Sequence, residues 1–484
     1  LNTTTSSENV AVGADCLKNL TTNVNNTAVG NSAANKVTGE ANTFIGRQAG
    51  KEATSCDYTV AIGNNAGGSS GTMTGNENVF IGSASGDAAT SGHSNTAVGA
   101  NTLGSLTSQN YNTVVGHNAG NNCTGGNNVL IGRLAGGNAA HTADGNVGIG
   151  AEALKDTTGG SNNVAIGKDA GRGITSSDNS VYIGSLCGTT GNGHSNVGIG
   201  QQALESGSHG NANVAIGWSS GEDLTGENNV FIGSEAGREA TSADQNTCVG
   251  FGAGGIGVMT GDDNTYIGAN AGEDCTSGQL NTSTGRQSLK NITTGSNNDV
   301  FGYNAANNLT TGSSNTIIGN GTTTSSSSTS NANGLGVGLT CADNYTTIGQ
   351  NAADCRNAHG EATWATVSDE RVKKDIEDST VGLAFINDLR PVTFNYKNKG
   401  DLPENFNGYE KGSTEVYKNS KTQHGFIAQE VKAAIDKHSD IKDGFSMWDD
   451  DDPAGQQRVG ETAVIPVLVK AIQELSAEID KLKG

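Results

Sequence analysis

The side chains best equipped for chemistry lie after residue 367, beginning with the segment 368–376, SDERVKKDI. A hydroxyl, three carboxylates and three cations fall within this short stretch. Taken alone, it predicts the start of a helix, with Ser368 as the N-cap, Asp369 and Glu370 in the first turn and Lys373 facing solvent. Residue types and spacing therefore allow reactive chemistry here without requiring it.

Two further groups of polar residues predict structure rather than a metal or cofactor site. The consecutive carboxylates of Asp449–Asp452 cannot wrap a calcium ion by themselves, so we expect a solvated, mobile loop. His424 has no second His or Cys at ligand spacing, and we expect it to be a structural hydrogen-bonding residue. The chain also lacks a phosphate-binding glycine motif, so we expect no metal and no cofactor.

The composition indicates a repeat protein. The chain has 484 residues, including 72 glycines, with 33% apolar and 5% aromatic residues, which is too few large side chains for an ordinary core. Lys and Arg number 12 against 26 Asp and Glu up to residue 360, and 16 against 23 beyond it. Because both parts are acidic and no run of eighteen apolar residues occurs, we expect no nucleic-acid partner and no membrane insertion.

A repeat of about seventeen residues runs from residue 9 to residue 320, and its marker is the glycine that closes a three-residue, mostly apolar run. The markers are Gly13, Gly30, Gly46, Gly63, Gly82, Gly99, Gly116, Gly132, Gly150, Gly167, Gly184, Gly200, Gly217, Gly233, Gly250, Gly268, Gly285, Gly302 and Gly319. Eighteen steps cover 306 residues. Such regularity predicts a stacked parallel β-solenoid.

Each position of the repeat has its own expected role. Asn precedes the marker by four residues in seventeen of nineteen copies, with Thr59 and Ser180 as the exceptions, which predicts an amide ladder between coils. The three residues between Asn and the marker predict a short strand with two apolar faces. One face can fill the coil, and the other needs a cover, so the pattern favours an oligomer.

The cysteines are expected to be small buried hydrophobes. All eight are scattered and none forms a C-x-x-C motif. Cys16 and Cys187 lie three residues after a marker, where Ala is usual, and Cys123 and Cys275 lie seven residues after one, where Leu, Ile or Ala is usual. We therefore interpret these four as packing residues rather than ligands or disulfide partners.

The chain divides into three segments by character. Residues 1–320 are the predicted solenoid shaft, about 90 Å long at the usual spacing of strands. Residues 321–367 begin with a low-complexity stretch, 321–333, for which we expect an exposed loop or flexible joint, and then hold one or two degenerate coils. Residues 368–484 have long aliphatic and aromatic side chains and predict a small α+β domain.

The repeat units resemble the head repeats of trimeric autotransporter adhesins and the shaft repeats of phage tail fibres. The resemblance covers residues 9–320 and lies in the N-x-(V/A/F)-(V/I)-G units. It implies three parallel β-rolls wound side by side, a homotrimeric shaft.

Four ordered motifs mark the last segment: SDERVKKDI from Ser368, FINDLRPVTFNYK from Phe385, HGFIAQEV from His424 and VIPVLVKAIQELSAEIDKL from Val464. In this order they resemble the intramolecular chaperone domain at the C-terminus of endosialidase-type tail spikes and related phage fibres. The resemblance covers residues 368–484.

This second resemblance implies a self-cleaving domain. In that family the chaperone trimerises the fibre and then cuts itself away just before a serine. Carried onto this sequence, the cut falls between Val367 and Ser368, with Ser368 as nucleophile and Lys373 as general base. A lysine can take that role only if burial lowers its pKa. The implied enzyme is a serine autoprotease that acts once, in cis, and on no external substrate.

The C-terminal segment 464–483 predicts a parallel coiled coil. Its heptad positions are Ile465, Leu468, Ile472, Leu475, Ile479 and Leu482. Ile at one position and Leu at the other favours two strands when taken alone, whereas the resemblance implies three.

Together these features predict a virion tail fibre that contacts the host. The expected partners are two further copies of the chain, a host-surface glycan or protein, and other tail proteins on the N-terminal side. The expected location is the virion, on the extracellular surface after assembly in the host cytoplasm. The alternatives are a polysaccharide-degrading tail spike, which would need two placed carboxylates in a groove, and a cell-surface adhesin solenoid.

Overall fold

The computed structural model describes residues 6–138, 140–255, 257–441 and 445–484. The chain forms two compact units, a solenoid unit, Leu1–Val367, and a C-terminal unit, Ser368–Gly484. The first five residues of the predicted shaft lie outside the described part.

The solenoid unit is built from one short strand per coil. The strands that precede the marker glycines are β1 Val10–Val12, β2 Thr27–Val29, β3 Thr43–Ile45, β4 Val60–Ile62, β5 Val79–Ile81, β6 Thr96–Val98, β7 Thr113–Val115, β8 Val129–Ile131, β9 Val147–Ile149, β10 Val164–Ile166, β11 Val181–Ile183, β12 Val197–Ile199, β13 Val214–Ile216, β14 Val230–Ile232, β15 Thr247–Val249, β16 Thr265–Ile267, β17 Thr282–Thr284, β18 Asp299–Phe301 and β19 Thr316–Ile318. Six more strands follow: β20 Thr323–Thr324, β21 Asn333–Val337, β22 Thr340–Cys341, β23 Tyr345–Gln350, β24 Ala353–Ala358 and β25 Ala365–Thr366.

Strands β1 to β19 form a parallel sheet in which equivalent residues of successive coils are paired. Val164 lies opposite Val181, and Ile166 lies opposite Ile183. The middle residue of each strand is buried from β2 onwards, while the residues on either side, which are β-branched in every strand except β18, are half-buried or exposed. The prediction of a mostly β protein with a parallel solenoid and a repeat of about seventeen residues is confirmed.

The buried asparagines form the expected ladder. The backbone N–H and the Nδ2 of Asn95 both donate to Oδ1 of Asn78, at 3.0 and 3.1 Å. At the Ser180 exception, the backbone N–H donates to Oδ1 of Asn163 at 3.0 Å, and the hydroxyl accepts from the N–H of Asn196 at 3.1 Å. Serine can replace asparagine there because the ladder needs a side-chain acceptor at each level.

A second ladder lies in the outer turns, six residues before many of the markers, and it runs in the opposite direction, with the backbone of one coil donating to a side chain of the next coil. The N–H of Ser161 donates to Oδ1 of Asp178 at 2.7 Å, and the N–H of Asp178 donates to Nδ1 of His194 at 3.2 Å. The N–H of His194 donates to Oδ1 of Asn211 at 2.8 Å. These bonds join successive turns of the solenoid.

In several coils of the solenoid, a large interior residue is paired with a small one. Each aromatic residue at a middle strand position shares its coil with a glycine four residues after the marker: Phe44 with Gly50, Phe80 with Gly86, Tyr182 with Gly188, Phe231 with Gly237 and Tyr266 with Gly272. A Cβ on Gly188 would lie 2.1 Å from the Tyr182 ring. In the two coils whose middle strand residue is glycine, Gly148 and Gly198, that later position holds a buried leucine, Leu154 and Leu204. In these coils a large side chain at one interior position is matched by glycine at the other.

The predicted packing role of the four cysteines is confirmed. Cys16, Cys123, Cys187 and Cys275 are buried and carry free thiols. Burial raises the pKa of Cys123 to about 11 and that of Cys187 to about 12. These thiols therefore stay protonated at neutral pH and behave as small apolar groups.

Truncating a buried ring should destabilise the solenoid more than truncating an exposed one. Phe231 is fully buried, whereas Phe251 is 53% exposed on the outer surface. We expect Phe231→Ala to lower the free energy of unfolding by about 3–5 kcal/mol through lost burial and a residual cavity. Phe251→Ala, the matched control, should change it by about 0.5 kcal/mol or less. Denaturant unfolding of both variants measures this, and equal losses would contradict the assigned interior.

The low-complexity stretch 321–333 is part of the next coil rather than a loop or joint. Strand Thr323–Thr324 pairs in parallel with Thr340–Cys341. Thr322 and Thr329 are buried, and the Thr322 hydroxyl donates to the carbonyl of Gly336 at 2.8 Å. Only 325–328 form an exposed run. Threonine fits because its methyl group fills the interior while its hydroxyl bonds the neighbouring coil.

The solenoid sheet ends by changing its pairing. Strands β21 and β23 continue the parallel stack, but β23 pairs antiparallel with β24, and β24 with β25. Ile348 lies opposite Cys355, and Cys355 lies opposite Thr366. This short meander places Val367 directly after the last strand of the unit.

The C-terminal unit is a small α+β domain with its own core. Its elements are α1 Leu383–Asp388, β26 Val392–Phe394, β27 Gln423–Gly425, α2 Ala428–Asp436, β28 Trp448–Asp449, β29 Arg458–Val459 and α3 Ile465–Lys483, with 3₁₀ turns at Glu370–Val372, Lys399–Asp401 and Glu461–Val464. Phe385 of α1, Ile435 of α2 and Val467 of α3 meet in the core. At the start of α1, the N–H of Leu383 donates to Oε2 of Glu474 at 2.8 Å.

No helix in the described residues is long and apolar enough to cross a bilayer.

Candidate active site

The segment that opens the C-terminal unit folds as a tight turn rather than as an α-helix. The N-cap is Asp369, not Ser368, and its Oδ1 accepts the N–H of Arg371 at 2.9 Å. A 3₁₀ turn then covers Glu370–Val372, and the N–H of Lys373 donates to the carbonyl of Glu370 at 3.0 Å. The chain after Asp369 therefore reverses within one turn.

This reversal brings the two residues of the implied dyad together. Lys373 Nζ donates to Ser368 Oγ at 2.7 Å. The distance is within the range that proton transfer requires. Both residues are exposed in the single chain, as is every residue of 361–380. The contact is one that a nucleophilic serine hydroxyl and its general base would make. The catalytic roles of Ser368 and Lys373 stay predictions.

The carboxylate beside Ser368 is neutralised by a nearby cation. Arg371 Nε donates to Asp369 Oδ1 at 2.9 Å, and Arg371 Nη2 donates to Oδ2 at 2.6 Å. The guanidinium holds the pKa of Asp369 below its usual value, and the carboxylate raises the pKa of Arg371. Asp369 therefore stays ionised and paired and is not available as a proton acceptor at neutral pH.

The residues on either side of the implied cut are open to solvent. Val367 is 61% exposed and directly follows strand Ala365–Thr366 in the solenoid unit. Ser368 is exposed at the start of the C-terminal unit. The backbone between them is outside every strand and helix of the described chain.

Helix α3 has two apolar faces, and among the described residues one of them is packed inside the C-terminal unit while the other is exposed. Val467 and Ala471 are buried in the C-terminal unit. The predicted heptad residues all face outward, with exposures of 56% for Ile465, 39% for Leu468, 64% for Ile472, 42% for Leu475, 48% for Ile479 and 86% for Leu482. The heptad pattern did not indicate the buried face, because Val467 and Ala471 fall between the heptad positions.

The acidic run at Asp449–Asp452 is only in part the solvated loop that we expected from the sequence, because Asp450 and Asp451 are exposed but the two ends of the run are held in structure. Asp449 lies in strand β28, and Asp452 is 8% exposed. Asp452 forms an ion pair with Arg458 and accepts the N–H of Ala454 at 2.8 Å. The last carboxylate of the run is thus a buried hydrogen-bond acceptor with partners in the same loop.

Comparison with known families now adds to this geometry. Residues 368–440 match the family model Peptidase_S74, described as chaperone of endosialidase. No curated protein and no solved structure matches the chain. A β-solenoid followed by such a domain fits a phage tail fibre with a C-terminal chaperone. Residues 368–440 of the C-terminal unit are thus similar to the intramolecular chaperone of endosialidase, a family that implies self-cleavage, and the match begins at Ser368 itself.

Proposed function

We propose that the protein is a homotrimeric tail fibre that attaches a phage to its host and whose chaperone is released by cleavage between Val367 and Ser368. The observation that carries the proposal is the placement of Ser368 and Lys373 in direct contact, at the residue where the solenoid unit ends and the family match begins. Three further features support it.

The first is an apolar stripe along the outer face of the solenoid. The residue before the marker is Val or Ile in seventeen of nineteen coils, and the residue two places earlier is Val or Thr in eighteen. Ile166, Ile199 and Ile232 are 36–37% exposed, and Ile267 is 41% exposed. A stripe that recurs in nearly every coil exceeds the patches that single chains usually leave in water. Other copies of the chain would cover it.

The second feature is the contrast between this stripe and the next outward column, one residue after the marker. That column holds residues as different in size as Ser83, Arg133 and Trp218. A close-packed interface at constant spacing requires similar volumes at each level. The uniform stripe fits such an interface, whereas the variable column fits a surface left in solvent, where a host receptor could be contacted.

The third feature is the outward heptad face of α3. Six apolar side chains at heptad spacing, all at least 39% exposed, form a seam suited to a parallel coiled coil. A coiled coil at the C-terminus would bring identical chains into register before the solenoids pair. Register matters because identical coils allow a slip by one repeat. We take three as the number of chains from the resemblance to trimeric fibres.

The proposed reaction uses only residues of the chain and water. Ser368 Oγ attacks the carbonyl carbon of Val367, so that the Oγ–C bond forms and the C–N bond between the two residues breaks. The hydroxyl proton passes through Lys373 Nζ to the leaving amine. Water then hydrolyses the ester, which leaves a carboxylate on Val367 and restores the serine hydroxyl. Proximity replaces substrate binding because both partners are in one chain.

Cleavage is expected to follow assembly. Lys373 must lose its proton to act as a base, and its side chain is exposed in the single chain. Packing of neighbouring copies around the turn would remove water from the ammonium group. Release of the chaperone after assembly would make the fibre depend on a high unfolding barrier rather than on equilibrium refolding.

The proposal extends to location and partners. We assign the protein to the virion, exposed on its outside after assembly in the host cytoplasm. Its solenoid surface would contact a glycan or protein of the host, and its N-terminal side would join other tail proteins. Support comes from the combination of a long repeat unit with an endosialidase-type chaperone.

Intact mass and native mass of the wild type and Ser368→Ala test the proposal. The wild type should give two polypeptides, one ending at Val367 and one beginning at Ser368, whereas the variant should remain one chain of 48.9 kDa. Both should assemble as trimers. Ser379→Ala, at another exposed serine of the same unit, is the control and should cleave normally. Cleavage in Ser368→Ala, or a single uncut chain in the wild type, contradicts the assigned site, and a native mass of one or two chains contradicts the trimer.

A further inference from the structure

We infer that Asp369, together with Arg371, is the positioning residue of the cleavage site. The inference rests on the proposed function, since it concerns how Ser368 and Lys373 are held. Asp369 does not contact the reacting atoms in this role. Its carboxylate fixes the turn that carries Lys373 back to Ser368, and Arg371 cancels its charge.

The first part of the argument is the geometry of the turn. Asp369 Oδ1 accepts the N–H of Arg371 at 2.9 Å, which satisfies a backbone donor that a 3₁₀ turn leaves free. The N–H of Val372 donates to the carbonyl of Asp369 at 3.2 Å. Lys373 lies at the C-cap of this turn, and its side chain reaches Ser368 Oγ at 2.7 Å. Because the whole segment is exposed in the single chain, no core packing of that chain holds the turn, and the cap is the main constraint on it before other copies pack around it.

The second part concerns charge. Asp369 directly follows Ser368, so its carboxylate is two residues from the Val367 carbonyl, whose oxygen becomes negative when Ser368 attacks. An unpaired carboxylate at that separation would oppose the developing charge. The two hydrogen bonds from Arg371, at 2.9 and 2.6 Å, neutralise it. The ion pair of Asp369 with Arg371 therefore lets Asp369 cap the turn without an uncompensated negative charge that would repel the developing oxyanion.

Four variants separate the cap from the charge. Asp369→Ala removes both, and we expect cleavage to slow by about 3- to 30-fold, the range of a lost N-cap. Asp369→Asn keeps an acceptor oxygen and should cleave within about threefold of the wild type. Arg371→Gln leaves an unpaired carboxylate and should slow cleavage by about tenfold at low salt, and less at high salt. The double variant Asp369→Asn with Arg371→Gln carries no charge and should recover to about the rate of Asp369→Asn.

The rates are measured by synthesising the full chain in a cell-free system, stopping synthesis and following the uncut band with time. Native mass is recorded for each variant, so that a rate is compared only between chains that assemble. If Asp369→Ala does not assemble, the comparison of Arg371→Gln with its double variant decides the question. The pH dependence of cleavage should keep its midpoint in Asp369→Asn, because a positioning residue changes the rate but not the titrating base.

Three outcomes would overturn the inference: Asp369→Ala cleaving at the wild-type rate, Asp369→Asn being as slow as Asp369→Ala, or no rescue of Arg371→Gln in the double variant. Each leaves the proposed function intact, because that depends on the Ser368→Ala test. If Ser368→Ala still cleaves as the wild type does, the proposed site itself is wrong, whatever the Asp369 series gives.

Discussion

Replacing Ile472 and Leu475 together by glutamate is expected to leave the protein as uncleaved single chains. These side chains are 64% and 42% exposed, so the substitutions should not disturb the fold of the C-terminal unit. In a coiled coil they would place six carboxylates around one axis, and each uncompensated buried charge costs several kcal/mol. Assembly should therefore weaken by about 100-fold or more.

The measurement is native mass together with the fraction of cut chain. Ala477→Glu is the matched control because Ala477 is exposed and outside the heptad positions of α3. It should assemble and cleave as the wild type does. If the double glutamate variant still assembled, α3 would not be the interface. If it remained monomeric but cleaved normally, the coupling of cleavage to assembly would be wrong.

The repeat made the solenoid predictable because every coil presents the same chemistry to its neighbours. Three positions have the same environment throughout the stack: the buried residue in the middle of the strand, the asparagine four residues before the marker and the small residue three residues after it. Nineteen copies of that pattern predict the sheet, its direction and the amide ladder together. The degenerate coils were harder, because threonine and serine in 321–333 have the composition of a loop, and only their stacking on Thr340–Cys341 shows that they are packed.

The candidate site was predictable only in part. The family motifs marked Ser368 and Lys373, but spacing alone indicated an N-cap serine and a solvent-facing lysine. The structure differs because Asp369 takes the cap, which shortens the turn to Glu370–Val372 and brings Lys373 to Ser368. Serine and aspartate are about equally good caps, so sequence reasoning could not choose between neighbours. The Arg371 pairing is the observation that distinguishes them.

The buried face of α3, which carries Val467 and Ala471, likewise could not be predicted from the sequence. The heptad indicates the surface that would join other chains, and that surface is exposed as expected. Val467 and Ala471 also appear apolar in the sequence, but nothing in their spacing says that they pack within the C-terminal unit. Only the positions of α1 and α2 reveal that the helix is anchored on one side and left free on the other.

The marker glycines should be the least replaceable residues of the solenoid. From Gly13 to Gly302, a Cβ on a marker would lie 2.2–2.6 Å from the backbone of the next coil. At Gly150 the distance to the carbonyl oxygen of Gly167 would be 2.3 Å, and the backbone has φ +138. Left-handed strain costs about 1–3 kcal/mol, and overpacking against atoms that cannot rotate away costs about 1–3 more.

Gly150→Ala is therefore expected to destabilise the solenoid by about 2–6 kcal/mol. The matched control is Gly159→Ala, nine residues further along the same coil, where a Cβ would meet no atom within 4 Å and φ lies outside the left-handed region. That change should alter stability by about 0.5 kcal/mol or less. Denaturant unfolding followed by circular dichroism compares the two. Equal stability of the variants would mean that neighbouring coils can separate at the marker, and the close backbone stacking would then not be what fixes glycine there.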